Sequence, residues 1–447
     1  MSIELITLLI FSNLVLFLFL GIPVPFALMG VSLIWLLMLR GTFMLQLVPS
    51  TIFETATTEI FIAAPLFIFM AVCLERSGIG KSLYEAIYKW SGGLPGGLAV
   101  GTIIAATILD AMTGVGGTAV LVLGMMAIPE MLRRGYHPSI AIGGLPPAGA
   151  LGVLIPPTVI GVLLGGFTGI PVGSLFFGGF LPGKLISVLF CVYIVVRCLR
   201  HPELGPPLPP DQRPSFSEKV RSSGPLILPL LLVGFVLGVI WFGVATPTEA
   251  AGIGAGGTLA IMLVKTRFDL RGLYDALIGA GRVAVMILTL VIGGAMFARL
   301  LQISGAAQMV ADMLIGVDLG VYGTILLFVA AVTLLGMFID GAAVIFIVSP
   351  IMMPVVNALG IDPVWFGVII MITIAAAYVT PPFGMNLFYL RGILDQLRDK
   401  PGCEVVRAIS MADIWKSALP YVVLMYVMIA LIILFPPLAT WLPQQMR

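Results

Sequence analysis

The dipeptide Pro-Pro interrupts two of the most apolar stretches of the chain, at Pro156 and Pro157 in LGVLIPPTVIG and at Pro381 and Pro382 in AYVTPPFGMN. A proline has no backbone N–H and its ring clashes with the preceding turn, so a tandem pair ends a helix where it falls. The surroundings are membrane-like. The 447 residues are 60% hydrophobic and only 10% charged, against about 25% charged in a soluble domain. Apolar stretches such as LILPLLLVGFVLGVIWFGV and YVVLMYVMIALIILF recur from end to end, and about 20 such residues cross a bilayer as a helix. The chain reads as an all-α polytopic membrane protein. Its opening carries no basic run and no small-residue cleavage site, so it reads as a first span that stays.

Charge placement gives an orientation. The proline-rich stretch RCLRHPELGPPLPPDQRPSFSEKVRSSG divides the chain into halves, and smaller basic loops include ERSGIGKSLYEAIYKW, LRRGYHP, KTRFDLRG and RGILDQLRDKPGCEVVR. With all of these cytoplasmic, only Arg40, Lys184, Arg299 and Arg447 of the 23 basic residues lie outside. Both termini are then expected outside. FDLRGLYDALIGAG has the pattern of an amphipathic helix on the membrane surface.

The two Pro-Pro pairs belong to an internal repeat. Displaced by 225 positions, Gly116 meets Gly341, Pro129 meets Pro354, Gly135 meets Gly360, Pro138 meets Pro363, and both prolines of one pair meet those of the other. LERSG at 74–78 resembles LQISG at 301–305. An odd number of crossings between the halves makes the repeats inverted, the arrangement of secondary transporters with a site at mid-membrane. Each repeat pairs two short apolar arms around a glycine-rich tip, expected as a re-entrant hairpin, with a helix broken at Pro-Pro. Broken backbone in the hydrocarbon is tolerated only where it is buried in protein or lines a cavity. Its free carbonyls and threonine hydroxyls suit an alkali cation, and half-helix amide ends suit an anion. Small residues such as GIGAGG serve helix packing equally well.

Other chemistries find little support. Cys73, Cys191, Cys198 and Cys403 show no metal or redox spacing. His137 and His201 both adjoin prolines in basic loops, away from the spans, which leaves an intramembrane enzyme without a base. A net charge of +2 carries no nucleic-acid signal.

These segments resemble the large membrane subunit of the tripartite ATP-independent periplasmic (TRAP) transporters nearly end to end. The resemblance runs through GIPVPFAL, PLFIFMAVCLERSGI, GGLPGGLA, IPEMLRRGY and LGVLIPPTV, then ATPTEAA, LGMFIDGAAVIFIVSPIMMPV, GIDPVWFGVI and TPPFGMNLF. It implies an elevator-type, sodium-driven importer of a small organic anion, a carboxylate or a sulfonate, in the bacterial inner membrane. A periplasmic binding protein delivers the substrate. A small four-helix membrane subunit, expected as a separate chain, braces the large one amid membrane lipid. No enzyme activity and no cofactor beyond sodium ions is implied, and no G-x-x-x-x-G-K-[ST] loop is present. A self-sufficient sodium- or proton-coupled carboxylate transporter with similar paired hairpins is the alternative.

Carried onto this chain, the resemblance puts scaffold helices at 1–96 and a first hairpin with its broken helix at 97–170. Further scaffold helices follow at 171–318, around a cytoplasmic linker at 198–223. A second hairpin and broken helix occupy 319–394, and a loop with the last helix 395–447. One sodium site falls between the tip residues Thr113, Gly114, Val115 and Gly116 and the segment containing Gly149, Gly152 and Pro156. The other falls between Asp340, Gly341 and Ala342 and the segment containing Thr373, Thr380 and Pro381. The substrate is expected against Asp340, Thr380, Phe383 and Asn386. Glu249 of TPTEAA is expected to cap a helix with Thr246 or Thr248, and Arg391 and Arg299 are expected as interfacial anchors. Two departures stand out. The ISGSS frequent at the family's first tip is MTGVGG here, and the EIG frequent before Thr-Pro-Pro is AAA at 375–377. The choice between backbone and side-chain ligands is thereby left open.

Overall fold

A computed structural model describes residues 2–209 and 213–446. Met1, residues 210–212 of the central linker and Arg447, one of the four basic residues expected outside, lie beyond the described residues. Helix follows helix, with no strand among the described residues. Among the described residues six helices are long and apolar enough to cross a membrane: Val172–Arg200, Phe216–Trp241, Pro247–Lys265, Leu270–Ser304, Gly341–Ala358 and Met411–Leu434. Thr42–Thr57 and Glu59–Arg76, bent by 55° at the break between them, are long and apolar enough only when taken together.

Local sequence accounts for the helix ends. Thr246 accepts from the Glu249 amide at 3.2 Å while the Glu249 carboxylate accepts from the Thr246 amide at 2.8 Å, a complete capping box. Ser215 with Glu218 and Ser410 with Asp413 repeat the device. The segment FDLRGLYDALIGAG is not a separate surface helix. It forms the first turns of the 35-residue helix Leu270–Ser304. At 1.5 Å per residue this helix reaches about 52 Å, well beyond the ~30 Å hydrocarbon core. Ile79–Ser91 is the separate amphipathic helix, burying Leu83 and Tyr84 while its lysines face out.

The matched landmarks of the two halves do the same structural work. Gly135 and Gly360 both take left-handed φ, +76° and +62°, just after a hairpin arm, a conformation glycine adopts without strain. Pro138 and Pro363 are each the first residue of the next helix, where a missing N–H costs nothing. Both Pro-Pro bonds are cis. Gly78 and Gly305 each turn the chain, at φ +73° and +75°, from one helix straight into another.

Two groups of helices result. In one, Glu59–Arg76 packs on Pro247–Lys265 and on Leu270–Ser304, which also carries Val24–Arg40. The other holds the hairpins and broken helices with Val172–Arg200 and Met411–Leu434. Hairpin 1 has the arms Gly97–Thr113 and Thr118–Arg133; hairpin 2 has Gly320–Gly336 and Gly341–Ala358. Broken helix 1 resumes as Val159–Thr168, and broken helix 2 runs as Pro363–Ala377 then Met385–Leu397. The packing is reciprocal: Thr118–Arg133 lies on Met385–Leu397, while Gly341–Ala358 lies on Val159–Thr168. Each half therefore seats its hairpin arm on the other half's broken helix.

Candidate functional site: two junctions of hairpin tip and broken helix

At the first junction the tip is the four residues 114–117, and Gly114 and Gly117 take φ of +65° and +91°. Backbone bonds pin it to the break. The Val159 amide donates to Gly114 O at 3.0 Å and the Gly117 amide to Gly149 O at 2.7 Å. Gly114 lies so close to the Pro157 carbonyl that a Cβ would collide with it. Thr113, Gly149, Gly152 and Pro156 are buried, whereas Val115 and Gly116 are partly so. The prolines cannot donate to the carbonyls four residues upstream, those of Gly152 and Val153, which lose their helical partners. Thr158 caps the resumed helix, its Oγ1 accepting from the Gly161 amide at 2.7 Å.

The second junction is built on the same plan with different side chains. The tip covers 337–340, and Gly341 and Ala342 already belong to the first turn of the second arm. The Gly384 amide donates to Met337 O at 3.3 Å, and Gly384 stands 225 positions beyond Val159. Asp340 caps the arm through Oδ2, which accepts from the Ala342 amide at 2.9 Å. Its Oδ1 accepts from the Tyr378 hydroxyl at 2.9 Å, and that hydroxyl in turn accepts from the Gly341 amide at 3.0 Å.

The residues named from the sequence are thus divided. Asp340, Gly341 and Ala342 are joined by Tyr378. Thr380 turns its hydroxyl elsewhere, donating to Ala376 O at 2.7 Å and lying 3.4 Å from Tyr426 Oη, which donates to Thr333. Thr373, fully buried, donates to Ile369 O within its own helix. Pro381 is half-buried in the chain's break. Phe383 is 45% exposed and packs with Phe338 of the same tip and with Phe388, ring centroids 4.8 and 6.2 Å away. Asn386 is buried and donates to Pro146 O of the other half at 3.0 Å, leaving its Oδ1 without a partner. Arg391 ties its helix to Ile409 O and pairs with Asp395 one turn on, and Arg299 pairs with Glu54.

The two junctions meet. A Cβ on Gly116 would stand 3.2 Å from the Tyr378 ring, and one on Gly117 would stand 2.7 Å from Tyr389 and 3.0 Å from Asn386 Oδ1. The first tip must be glycine there because the second break fills the space. Sequence reasoning missed Tyr378 and Tyr389, which carry no pattern of their own. It also missed Asp110, fully buried four residues before the tip. A lone acid in an apolar span marked Asp340, and the same signal in AATILDAMTG would have marked Asp110.

Comparison with known proteins agrees with this architecture. Residues 11–438 match the family model described as the tripartite ATP-independent periplasmic transporter, DctM component. The chain is 28% identical to the C4-dicarboxylate TRAP transporter large permease protein DctM of Vibrio cholerae, covering 95% of this chain and 94% of that protein. It is also 28% identical to the ectoine/5-hydroxyectoine TRAP transporter large permease protein UehC of Ruegeria pomeroyi, over 97% of each. Among solved structures it superposes on the Alcanivorax borkumensis YdaH transporter with a TM-score of 0.65, at 15% identity and 98% coverage of both chains, a likeness of fold. The bipartite helical fold with its paired tips and the match over nearly the whole chain lead to one conclusion: this protein belongs to the tripartite ATP-independent periplasmic transporter family as its DctM component, a large permease and not an enzyme.

Proposed function

We propose that this permease is a sodium-coupled importer of a small organic anion, a carboxylate or a sulfonate, across the bacterial inner membrane. A periplasmic binding protein hands over the substrate, and a separate small four-helix subunit completes the membrane part. The observation that carries the reading is the pair of equivalent tip–break bonds, Val159 to Gly114 and Gly384 to Met337. They hold two stretches of non-helical backbone against the tips, where the prolines deprive carbonyls of their helical donors. Hard carbonyl oxygens suit an alkali cation. Sodium is assigned to the first junction at Thr113–Gly116 with Gly149, Gly152 and Pro156. The second ion is assigned to Asp340–Ala342, with Thr373, Thr380 and Pro381 on the facing segment and Tyr378 as the hydroxyl that touches Asp340. The substrate is assigned to the space bounded by Asp340, Thr380, Phe383 and Asn386. Two relatives of equal identity are named for different substrates, so the substrate within the class is left to experiment.

The moving body of the elevator is assigned to the second helix group. On packing, Val172–Arg200, expected from the sequence among the scaffold helices, is assigned with Met411–Leu434 to travel with the hairpins, because they contact Gly97–Thr113 and Pro363–Ala377. The repeats run inverted and both termini face the periplasm, as the basic loops require.

The test is uptake into proteoliposomes holding this chain and its small subunit. The binding protein is supplied loaded with radiolabelled carboxylates and sulfonates in turn, with and without an inward sodium gradient. Uptake that needs both sodium and the binding protein is expected. Sodium-driven uptake of free substrate, indifferent to the binding protein, would replace this reading with a self-sufficient carrier.

A further inference from the structure

Lys184 is a charge without a counter-charge inside a membrane helix. The basic-loop reading put it outside, yet 12 residues of the helix Val172–Arg200 precede it. Arg197 and Arg200 mark the end of that helix at one membrane face. Lys184 stands 13 residues before Arg197, about 20 Å along the axis. Its backbone is therefore about 10 Å short of the opposite edge of the ~30 Å hydrocarbon core. The side chain faces outward: Lys184, Val188, Val192 and Val196 recur at every fourth position and all are exposed, a single stripe along the helix. The ammonium lies over the Phe180 ring, 4.3 Å from its centroid, and meets no carboxylate. A cation so placed is costly unless paired, and marks a functional position.

The contact with Phe180 turns the lysine back along its helix, toward a groove one turn away. Leu181, three residues before Lys184 and on the same face, bounds this groove with Phe435, Pro437, Leu438 and Trp441 of the C-terminal segment. The volume is about 580 Å³. Trp441 is 55% exposed and its indole N–H meets no acceptor. An apolar trough with an indole in its wall and an ammonium close by suits a hydrocarbon chain that ends in an anion. Two observations decide between occupants. Five side chains bound the groove, against about 20–30 residues a side where proteins dock. None of the five is acidic, so the ammonium of a zwitterionic headgroup has no partner there, while Lys184 answers the charge of an anionic one.

We propose that Lys184 and this groove form a binding site for one anionic phospholipid. The phosphate meets the Lys184 ammonium and the Trp441 indole, and an acyl chain lies along Leu181, Phe435 and Leu438. The lipid neutralises the lysine where no side chain does so, and it joins the C-terminal segment to Val172–Arg200 through a shared apolar filling.

Native mass spectrometry of the delipidated full-length chain, titrated with dioleoylphosphatidylglycerol or with dioleoylphosphatidylcholine, tests this. The first phosphatidylglycerol is expected to bind more tightly than the first phosphatidylcholine. Lys184→Met is expected to weaken it about fivefold or more and to leave phosphatidylcholine unchanged, while Lys184→Arg keeps the preference. Equal affinity of the wild-type chain for both lipids, or phosphatidylglycerol binding unchanged in Lys184→Met, overturns the proposal. The titration is repeated with the small membrane subunit bound. Loss of the tight lipid there would give this face to the subunit and not to lipid. Lys184→Met removes an isolated charge from a membrane-facing position and is expected to fold. Should it not, Trp441→Ala alters the groove with the lysine intact, and phosphatidylglycerol binding as tight as in the wild type sinks the site equally.

Discussion

Tyr378 does more at the residue scale than any residue predicted from the sequence. Its hydroxyl accepts from Gly341 and donates to Asp340, while its ring closes over Gly116 of the opposite tip. Tyr378→Phe keeps the ring and removes both bonds, leaving the Gly341 amide and Asp340 Oδ1 without partners. A buried polar group stranded in this way costs about 1–3 kcal/mol. The expected outcome is a lower melting temperature together with a raised sodium requirement for uptake, read by thermal unfolding and by sodium titration of transport. An unchanged sodium titration would separate Tyr378 from the second ion site. Asp340 was visible as an acid in an apolar span, and the structure gives it a hydrogen-bonded place at a tip. Thr380 was chosen as a hydroxyl next to the prolines. Adjacency in sequence did not decide the direction of that hydroxyl, which the Ala376 carbonyl and Tyr426 claim.

Reciprocal seating governs the element scale: each hairpin arm lies on the other half's resumed helix. Gly124 sits in that contact, where a Cβ would stand 2.7 Å from Ile393 Cδ1 and 3.4 Å from Leu145. Alanine there displaces only the far end of a flexible side chain. Leucine has no room, and overpacking of this kind costs about 1–3 kcal/mol. Gly124→Leu is therefore expected to lower the melting temperature and uptake, and Ile393→Ala to restore part of both. A double-mutant cycle checks this, and additive effects would show that the contact does not couple the halves. At this scale the repeat was legible from its glycines and prolines, because positive φ and a missing N–H restrict which residues can stand at a turn or a helix start. Where one hairpin would land on the other half was not legible. That contact depends on apolar surfaces that hydropathy alone does not distinguish.

For the whole molecule, the elevator reading proposed above has one helix group move against the other across contacts made mainly by Ile79–Ser91, Leu270–Ser304, Ala306–Gly316 and Val159–Thr168. Cysteines placed singly at Thr113 and Thr380, after replacement of the four native cysteines, are expected to change their reactivity toward an impermeant reagent. The change should follow sodium and the binding protein. Reactivity from one unvarying side at both positions would leave no elevator to explain.

By itself the sequence determined the environment, the helical class, the duplicated broken helices and the family. The first three rest on properties that a linear chain displays: apolar run length, basic residues at span ends, and residues whose backbone limits are intrinsic; the family rests on the resemblance of its motifs. Only the tertiary structure decided which atoms meet. It brought Tyr378 to Asp340, Asn386 to Pro146 and Gly152 beside Asp110, across separations in sequence of 38, 240 and 42 residues. A buried polar atom is defined by what surrounds it, and its surroundings exist only once the two halves have closed on one another.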